Sequence, residues 1–351
     1  MTTESPHDRD ALAALLADAT AGGTRLAVRG AGSARAAGVP ASIDGQVSTR
    51  GLDRVVDHQP ADLTLTVEAG VPAARVHELA AAHGQVWPQP GNRPGATAGG
   101  ILATAASGLD RLRWGPVRDS VLEIVVCTGD GRLVRAGGRT VKGVAGYDIP
   151  RLMVGARGTL GVIVEATLKL WPRPLATGWF VREGPPDDLR GRAAALARDL
   201  YRPAALVLEP GRLWLHLIGV PGDVRAPDGM AAADCPGPGP DAPAVMDLAV
   251  SPSVLPALTR DLDDAGLAYR ALLGVGTCRV VVPTPDEVGP LRTLATARGG
   301  HGVVLGPNEF RADPWGPPPP GLAIMRRLRD AFDPAGVLNP GAFVGGPAAR
   351  V

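Results

Sequence analysis

The sequence contains few of the residues that build metal centres and disulfide frameworks. Among its 351 residues are only three cysteines and six histidines. The cysteines, Cys127, Cys235 and Cys278, fit neither a zinc-site spacing nor a disulfide framework, which favours a reducing compartment. An iron–sulfur cluster usually needs a larger set of thiolates, so none is expected within this chain. No two histidines have the spacing of a metal pair, and we expect no metal site.

Long apolar runs and an excess of charge of one sign are also missing. No run of about 18 apolar residues occurs, so the sequence predicts no transmembrane segment. The first residues do not resemble a signal peptide. The 36 basic and 35 acidic side chains give a net charge of +1, which argues against nucleic acid or an anionic membrane as a partner. We expect a cytoplasmic protein that reaches the inner face of a membrane only through its partners.

Glycine and proline are abundant instead. The 47 glycines and 35 prolines accompany an apolar content of 45%, so the chain is expected to be globular and rich in turns rather than disordered. Its length is sufficient for two domains with a sizeable core. Many glycines cluster in three loops in the first half of the chain, and these loops carry the functional argument.

The most unusual stretch runs from residue 88 to residue 119. Few side chains between residues 95 and 108 are longer than a methyl group, so the backbone can approach a neighbour closely. Thr97 is a candidate cap for a short helix, and Gly99 and Gly100 would then expose the first amides of that helix. A helix start with uncovered amides suits an anionic ligand. By itself, the stretch is equally compatible with a tight crossover between packed elements.

Two further glycine-rich loops flank this stretch. The first, Gly30-Ala31-Gly32-Ser33, follows a predicted strand over residues 25–29. It resembles a dinucleotide-binding fingerprint, but Arg35 stands where the third glycine of that fingerprint is needed. The amides of such a loop can still hold a pyrophosphate as an anion-binding nest. The last loop, residues 155–163, leads into a predicted strand over residues 162–170.

The second half of the chain predicts a different module. From about residue 177 to residue 305, strands and helices follow each other with short turns and one Pro/Gly-rich loop at 221–243. Their order favours an α+β module built on an antiparallel sheet, and we find no internal sequence repeat. A final helix, about 321–332, precedes the segment Asp333-Pro334-Ala335-Gly336-Val337-Leu338-Asn339-Pro340-Gly341.

The three loops and this C-terminal segment together resemble the FAD-binding flavoproteins of the vanillyl-alcohol oxidase (VAO), or PCMH, type. The similarity covers roughly residues 25–175 and 320–341. More narrowly, residues 142–162 look like part of the FAD-binding E subunits of bacterial glycolate oxidases. The resemblance implies an α+β fold, in which a two-subdomain FAD-binding domain at 1–175 carries a smaller α+β, ferredoxin-like cap domain at 176–306. Residues 307–351 would return to the FAD-binding domain.

The resemblance also implies which residues contact FAD. The first loop would hold the pyrophosphate, the central stretch would run beside the pyrophosphate and the flavin, and the third loop would meet the adenine. Asn339 would lie near the flavin. The residues expected in the cofactor site are Arg29, Gly30, Ala31, Gly32, Ser33, Pro90, Gly91, Thr97, Gly99, Gly100, Ser107, Gly115, Arg118, Asp119, Lys142, Tyr147, Gly158, Gly161, Ile163 and Asn339.

Some of these residues have a second interpretation that needs no cofactor. Lys142 either faces the anionic edge of the flavin or is solvated before a turn. Tyr147 either donates a hydrogen bond to the cofactor or packs within a turn. Arg118 and Asp119 either contact the cofactor region or form a structural ion pair.

Departures from the family pattern shape the functional prediction. Relatives that bind FAD covalently carry a histidine in or just after the first loop, where this chain has Ala34 and Arg35, so we expect noncovalent FAD. The catalytic D subunit of glycolate oxidase carries a metal-binding histidine cluster in its cap, which this chain lacks. His301 is the candidate catalytic acid or base, with a surface-loop histidine as the alternative. His216 alternates with leucines and is predicted to be exposed on a strand.

The resemblance therefore implies a FAD-binding subunit of a glycolate oxidase or dehydrogenase complex. Such a subunit would take part in oxidation of a small 2-hydroxy acid, glycolate first, with electrons leaving through an iron–sulfur subunit. A second flavoprotein subunit is the other expected partner. Two alternatives stay open, namely a self-sufficient FAD-dependent alcohol or 2-hydroxy-acid oxidoreductase, and a FAD-free subunit that only scaffolds its partners.

Overall fold

The chain begins with a small parallel sheet and one helix. The computed structural model describes residues 3–89, 94–139, 147–237, 239–240, 242–311 and 313–345. Its first elements are strand β1 (Thr3–Glu4), helix α1 (Arg9–Gly22), and strands β2 (Leu26–Arg29) and β3 (Gly45–Ser48). Strand β3 lies between the other two strands and pairs in parallel with both.

Helix α1 begins later than the sequence predicts. The pair Ser5-Pro6 predicts a cap at Ser5 with proline as the first helical residue. That prediction is wrong, because Asp8 is the cap and its carboxylate accepts hydrogen bonds from the amides of Asp10 (3.0 Å) and Ala11 (2.8 Å). The pair Gly22-Gly23 predicts the end of this helix, and this is confirmed, since Gly23 adopts the left-handed conformation that closes it.

A five-stranded antiparallel sheet follows, in the order β4-β5-β9-β7-β8. The elements of this part are β4 (Val55–Gln59), β5 (Thr64–Glu68), α2 (Ala73–Ala82), β6 (Gln85–Val86), α3 (Ala98–Ala103), α4 (Arg111–Trp114), β7 (Val121–Cys127), β8 (Leu133–Gly137), α5 (Ile149–Met153), β9 (Val162–Lys169) and β10 (Trp171–Pro172). The short strands β6 and β10 pair with each other. Helix α1 packs on one face of the sheet, and α2 and α3 pack on the other.

Strand β5 shows the effect of having helices packed on both faces of the sheet. Its alternation of Leu65 and Val67 with Thr66 and Glu68 predicts a strand that is buried on one face only. The structure corrects this, because every residue of β5 is buried. Thr66 donates to or accepts from the Thr167 hydroxyl at 2.9 Å, and the buried Glu68 carboxylate accepts from the Arg54 guanidinium at 2.8 Å. These partners satisfy polar groups that would otherwise be costly to bury.

The second module is an eight-stranded antiparallel sheet with helices on one face. Its elements are β11 (Ala176–Glu183), α6 (Pro186–Asp199), β12 (Ala205–Glu209), β13 (Arg212–Gly219), β14 (Ala231–Ala233), β15 (Val245–Ala249), α7 (Leu255–Asp264), β16 (Tyr269–Leu272), β17 (Thr277–Val281), α8 (Val288–Thr296) and β18 (His301–Leu305). The strand order is β14-β11-β13-β12-β16-β17-β15-β18. The predicted α+β module with an antiparallel sheet is therefore confirmed.

The order of these strands contains a repeat that the sequence does not display. Strand, helix, strand, strand occurs as β11-α6-β12-β13 and again as β15-α7-β16-β17, and in each unit the third strand lies between the other two. Helices α6, α7 and α8 bury leucines against one face of the sheet. The opposite face is turned toward the first part of the chain, as the contact between His216 of β13 and Asp110 demonstrates.

The C-terminal segment returns to the first module. Helix α9 (Leu322–Phe332) leads into Asp333, whose buried carboxylate accepts hydrogen bonds from the amides of Val337 (3.1 Å) and Leu338 (2.9 Å). Leu338 forms an isolated parallel bridge with Leu26 of β2. The buried carboxylate thus organises the turn that carries Asn339 to the end of β2.

The domain bounds stay a proposal, and the sheets are consistent with them. The proposed change at 175/176 falls between β10 and β11, which belong to different sheets, and the change at 306/307 follows the last strand of the eight-stranded sheet. Within the described ranges, no helix combines the length and apolar character needed to cross a membrane.

Candidate cofactor-binding site

A cavity of about 440 Å³ lies where four distant parts of the chain meet. Its walls come from the first glycine-rich loop after β2, from helix α3, from the start of β9 and from the C-terminal segment around Asn339. The volume is within the range of roughly 300–1,000 Å³ that is typical of small-molecule sites. The two ends of the chain therefore combine with its centre in one site.

The charged residues of the cavity wall are all of one sign. Arg29, Arg35, Arg157 and Arg311 line the cavity, and no aspartate or glutamate is found among its described lining residues. The whole chain has 36 basic and 35 acidic side chains, so this separation of charge is local. A concave site with several guanidinium groups and no carboxylate favours an anionic ligand.

The first loop presents free backbone donors to this cavity. Among the described residues, the amides of Ala31, Gly32, Ser33 and Ala34 find no acceptor. Gly32 has a φ of +69°, and among the described residues no atom beyond its two chain neighbours lies within 4 Å of the position that a Cβ on it would occupy. The loop thus combines uncovered N–H groups with open space, which is the arrangement expected of an anion-binding nest.

Helix α3 of the central stretch lines the cavity, but its first amides are not available to a ligand as expected. Thr97 caps helix α3, and its hydroxyl accepts from the Gly100 amide at 3.2 Å, as predicted. The expectation of uncovered amides is wrong, because the Ala98 amide donates to Val71 O (2.9 Å) and the Gly99 amide to Ala69 O (2.8 Å). A Cβ on Gly99 would lie 2.5 Å from the Ala69 side chain, so glycine is required here by close packing.

Asn339 connects the third loop to the end of β2. Its side-chain oxygen accepts from the Val28 amide at 2.7 Å, and its side-chain nitrogen donates to Arg157 O at 2.7 Å. Asn339 itself has a φ of +42°, a left-handed conformation that asparagine tolerates. The residue expected near the flavin therefore also fixes two other cavity walls through hydrogen bonds.

Arg157 is a cavity residue that the sequence reasoning missed. It adopts a φ of +54° within the third loop, and its guanidinium carbon lies 5.9 Å from the centre of the Trp315 ring. Burial lowers the pKa of Arg157, and the Asp247 carboxylate partly opposes this effect. In the part of the chain that the structure describes, Arg157 has no ion pair. Its position inside a glycine-rich loop was the sequence feature that could have identified it as a site residue.

Arg311 is the second residue that was missed. Its guanidinium donates to Gly38 O at 2.8 Å and to Asn308 Oδ1, so the return segment is tied to the first loop. Burial lowers the pKa of Arg311, and its buried Nε finds no acceptor within the described ranges. No local sequence pattern singles out this arginine, because the site is assembled from residues about 280 positions apart in the chain.

Twelve of the residues expected from the sequence lie together at this cavity. They are Arg29, Gly30, Ala31, Gly32, Ser33, Thr97, Gly99, Gly100, Gly158, Gly161, Ile163 and Asn339. Pro90, Gly91 and Lys142 lie outside the described residues. The assignment of individual residues to FAD stays a prediction, now supported by their convergence.

Five expected residues lie outside the cavity wall. The Ser107 hydroxyl accepts from the Val117 amide at 3.3 Å. Arg118 and Asp119 approach each other at 3.9 Å in a mostly exposed ion pair, which agrees with the structural interpretation. A Cβ on Gly115 would lie 3.0 Å from that aspartate, and Tyr147 is 93% exposed.

His301 and His216 differ in their exposure to solvent. His301 begins β18, is exposed and does not belong to the cavity wall. Its catalytic role stays a prediction. His216 was expected on an exposed strand position, and this is wrong, since the residue is only 6% exposed. It is covered because its face of the sheet meets the first module.

The cavity fits the FAD expected from the sequence. Its loop amides and the Nε of Arg311, which find no acceptor among the described residues, can take up the charge of a pyrophosphate together with the other arginines of the wall. Residues 4–137 match the family described as "FAD binding domain", and residues 298–343 match "FAD linked oxidases, C-terminal domain". The chain therefore contains regions that match both domains of FAD-linked oxidases, and it is a FAD-dependent oxidoreductase. The expectation of FAD as its cofactor is confirmed.

Known proteins of similar sequence and fold agree with this assignment. Glycolate oxidase subunit GlcE of Escherichia coli is 29% identical over 335 residues, which cover 91% of this chain and 92% of that subunit. The D-2-hydroxyglutarate dehydrogenase of Xanthomonas citri pv. viticola is 35% identical over 173 residues, 49% of this chain and 37% of the relative. A solved structure of alkyldihydroxyacetonephosphate synthase matches with a TM-score of 0.67 and 16% identity, covering 96% of this chain and 75% of that one.

These matches differ in how much they cover. The structural likeness identifies the fold as the PCMH, or VAO, type, and at this identity it concerns the fold alone. The chain spans almost the whole length of the GlcE subunit but little more than a third of the hydroxyglutarate dehydrogenase. The resemblance inferred from the glycine loops is confirmed for the family.

Proposed function

We propose that this protein is the FAD-binding subunit of a complex that oxidises a small 2-hydroxy acid, with glycolate as the first substrate to test. The observation that carries the proposal is the cavity wall, whose described residues include loop amides without an acceptor and the guanidinium groups of Arg29, Arg157 and Arg311, and include no carboxylate. The chemistry that FAD supplies when bound is acceptance of a hydride and onward transfer of electrons.

The relatives support the choice of substrate class. Besides the GlcE subunit, the chain is 31% identical over 172 residues to glycolate oxidase subunit GlcD of Bacillus subtilis, covering 48% of this chain and 37% of that subunit. The similarity to a D-2-hydroxyglutarate dehydrogenase adds a third protein named for a hydroxy acid or its oxidation. Glycolate and 2-hydroxyglutarate share a hydroxyl group next to a carboxylate, which defines the proposed class.

This chain's own residues would bind and orient the cofactor. The amides of Ala31 to Ala34 would donate to the pyrophosphate, and Arg311 would add a guanidinium from the return segment. Asn339 would keep the end of β2 and the third loop at a fixed separation, because it bonds to both. The eight-stranded sheet would cover the site and exclude water.

The dependence on partners is part of the proposal. Within the described ranges, no cluster of histidine, cysteine or carboxylate side chains could hold a metal ion, and His301 stands apart from the cavity. Substrate turnover would therefore require a complex with a second flavoprotein subunit. An iron–sulfur subunit would accept the electrons from the flavin. FAD would be bound noncovalently, because Ala34 and Arg35 stand where relatives with covalent FAD have the tethering histidine.

Anaerobic stopped-flow absorbance tests this proposal. The chain loaded with FAD is mixed with glycolate or D-lactate, first alone and then after co-purification with a GlcD-like flavoprotein and an iron–sulfur protein. We expect slow flavin bleaching for the isolated chain and rates in the ordinary enzymatic range, about 1–10³ per second, for the complex.

The same experiment distinguishes the alternatives. Fast bleaching of the isolated chain would contradict partner dependence and favour a self-sufficient oxidoreductase. If that rate were lost in His301→Ala but kept in the control His7→Ala, where the histidine is also exposed, the catalytic role would belong to His301. A purified chain that takes up no FAD would overturn the proposal and favour a scaffolding role.

A further inference from the structure

A buried histidine joins the two modules through a short chain of hydrogen bonds. The Nδ1 atom of His216 lies 2.6 Å from Asp110 Oδ1, and its Nε2 atom lies 2.6 Å from Thr177 Oγ1. The ring is stacked on Trp179, with centroids 4.3 Å apart and an angle of 5° between the planes. Both ring nitrogens and one ring face are therefore occupied, so the side chain has one fixed orientation.

The hydrogen bonds have defined directions. An ionised carboxylate only accepts, so Nδ1–H donates to Asp110. The Thr177 hydroxyl can donate to a neutral Nε2 or accept from a protonated one, because a hydroxyl does both. The connection between His216 and Asp110 is therefore maintained in either protonation state of the imidazole.

The two bonds of His216 differ in what they connect. Thr177 on β11 and His216 on β13 belong to the same sheet, so their bond is internal to the eight-stranded module. Asp110 belongs to the first module and comes shortly after Ala106, which lines the cofactor cavity. Asp110 O also accepts from the amides of Arg113 and Trp114 at 3.0 Å, which starts helix α4.

Helix α4 continues this contact between the modules. A Cβ on Gly274 of the eight-stranded module would lie 2.9 Å from Leu112 Cδ1, so that side chain sits directly against the β16–β17 turn. The Asp110 side chain is 28% exposed and the His216 side chain 8% exposed. The ion-containing bond is thus largely removed from water, where charge-assisted hydrogen bonds are strong.

The opposite part of the sheet is attached at another wall of the same cavity. The Gly306 amide, just after β18, donates to Ala36 O at 3.1 Å. Arg35 donates to Pro243 O at 3.2 Å, just before β15. Ala36 and Arg35 both line the cofactor cavity. These bonds attach the sheet directly to residues of the cavity wall, whereas the His216–Asp110 bond attaches it to a segment that begins just after the cavity-lining Ala106.

We propose that His216 is a positioning residue that docks the eight-stranded module onto the segment between Ala106 and helix α4. Through its bond to Asp110 it holds the segment that follows the cavity-lining Ala106 in place and slows the release of FAD. The inference rests on FAD as the cofactor and is independent of the substrate and of the partner subunits. The residue touches neither cofactor nor substrate in this role.

The test measures the rate at which FAD leaves the loaded full-length chain. Release is followed by the rise in free FAD fluorescence after dilution, and thermal unfolding is recorded for each variant. Asp110→Ala and His216→Gln should each accelerate release about 10- to 100-fold, the factor that corresponds to one hydrogen bond to a charged group. Asp110→Asn retains an acceptor oxygen and should lie between them and the unchanged chain.

Thr177→Val is the matched control, because it removes the other hydrogen bond of the same imidazole without touching the contact between modules. Its release rate should stay within about twofold of the unchanged chain. The double variant Asp110→Ala/His216→Gln should release FAD no faster than the more severe single variant, since both remove one interaction.

Three results would overturn the proposal. One is a release rate that stays unchanged in Asp110→Ala and His216→Gln while their melting temperatures fall, which would assign the cluster a purely structural role. Another is an equal acceleration in Thr177→Val. The third is additive acceleration in the double variant. Should Asp110→Ala not fold, Asp110→Asn and His216→Gln, which are close in size to the original residues, decide the question.

Discussion

Gly32 offers the sharpest test of the cofactor site, because its substitution separates folding from ligand binding. Gly32→Asp places a carboxylate at a position where, within the described part of the chain, no atom beyond the two chain neighbours lies within 4 Å of a Cβ, so the side chain has space in the folded protein. The φ of +69° disfavours residues other than glycine by about 1–2 kcal/mol, and aspartate tolerates it better than most. We expect a folded protein with slightly lower stability.

The effect on FAD should be much larger than the effect on folding. Two like charges about 5 Å apart, with an effective dielectric constant of about 20, repel each other by ~3 kcal/mol. That energy weakens binding more than a hundredfold. The new carboxylate also competes for the loop amides that would otherwise serve the pyrophosphate. Gly32→Asp should therefore lose its FAD on dialysis.

The assay is the ratio of flavin absorbance to protein after dialysis, together with a fluorescence titration and a melting curve. Gly211→Asp is the matched control, since Gly211 has a φ of +74°, equally open surroundings and a position outside the cavity wall. Gly32→Ala adds bulk without charge and should bind FAD more tightly than Gly32→Asp. Stoichiometric FAD in dialysed Gly32→Asp would refute the assignment of the first loop.

Two further outcomes follow from the structure. Acid precipitation should release all of the flavin into the supernatant, because Ala34 and Arg35 stand where a tethering histidine would be; yellow colour in the washed pellet would contradict this. With a thiol reagent at pH 8, the exposed Cys235 should react in the folded protein while the buried Cys127, whose pKa burial raises to about 12, should react only after unfolding. Reaction of all three thiols in the folded protein would show that the core opens readily.

The sequence alone determined the local features that depend on neighbouring residues. Thr97 could be identified as a helix cap and Gly23 as a helix end, since capping uses atoms within a few positions of each other. Apart from β14, which lies inside the loop predicted over 221–243, the strands and helices between 176 and 305 were also found close to their observed bounds, because their apolar periodicity is regular. The glycine loops and the Asn339 segment were sufficient to indicate the flavoprotein family.

Contacts between distant residues decided what local patterns could not. The amides at the start of α3 looked uncovered in the sequence, but carbonyls of Ala69 and Val71 reach them in the fold. His216 has the alternation typical of an exposed strand position, and it is buried because helix α4 and Asp110 cover that face of the sheet. The two-residue period of a strand indicates which residues share a face, but only the packing of the folded protein determines what covers that face.

The positive charge of the cavity wall also depends on the tertiary structure. Arg29, Arg157 and Arg311 are scattered through a chain whose net charge is +1, and nothing in their spacing marks them as a group. The fold brings them to one cavity by joining the end of β2, the start of β9 and the return segment after β18. Electrostatic interactions depend on distance in space, so the sequence could indicate the loop amides of a cofactor site but not the gathering of these arginines at the same cavity.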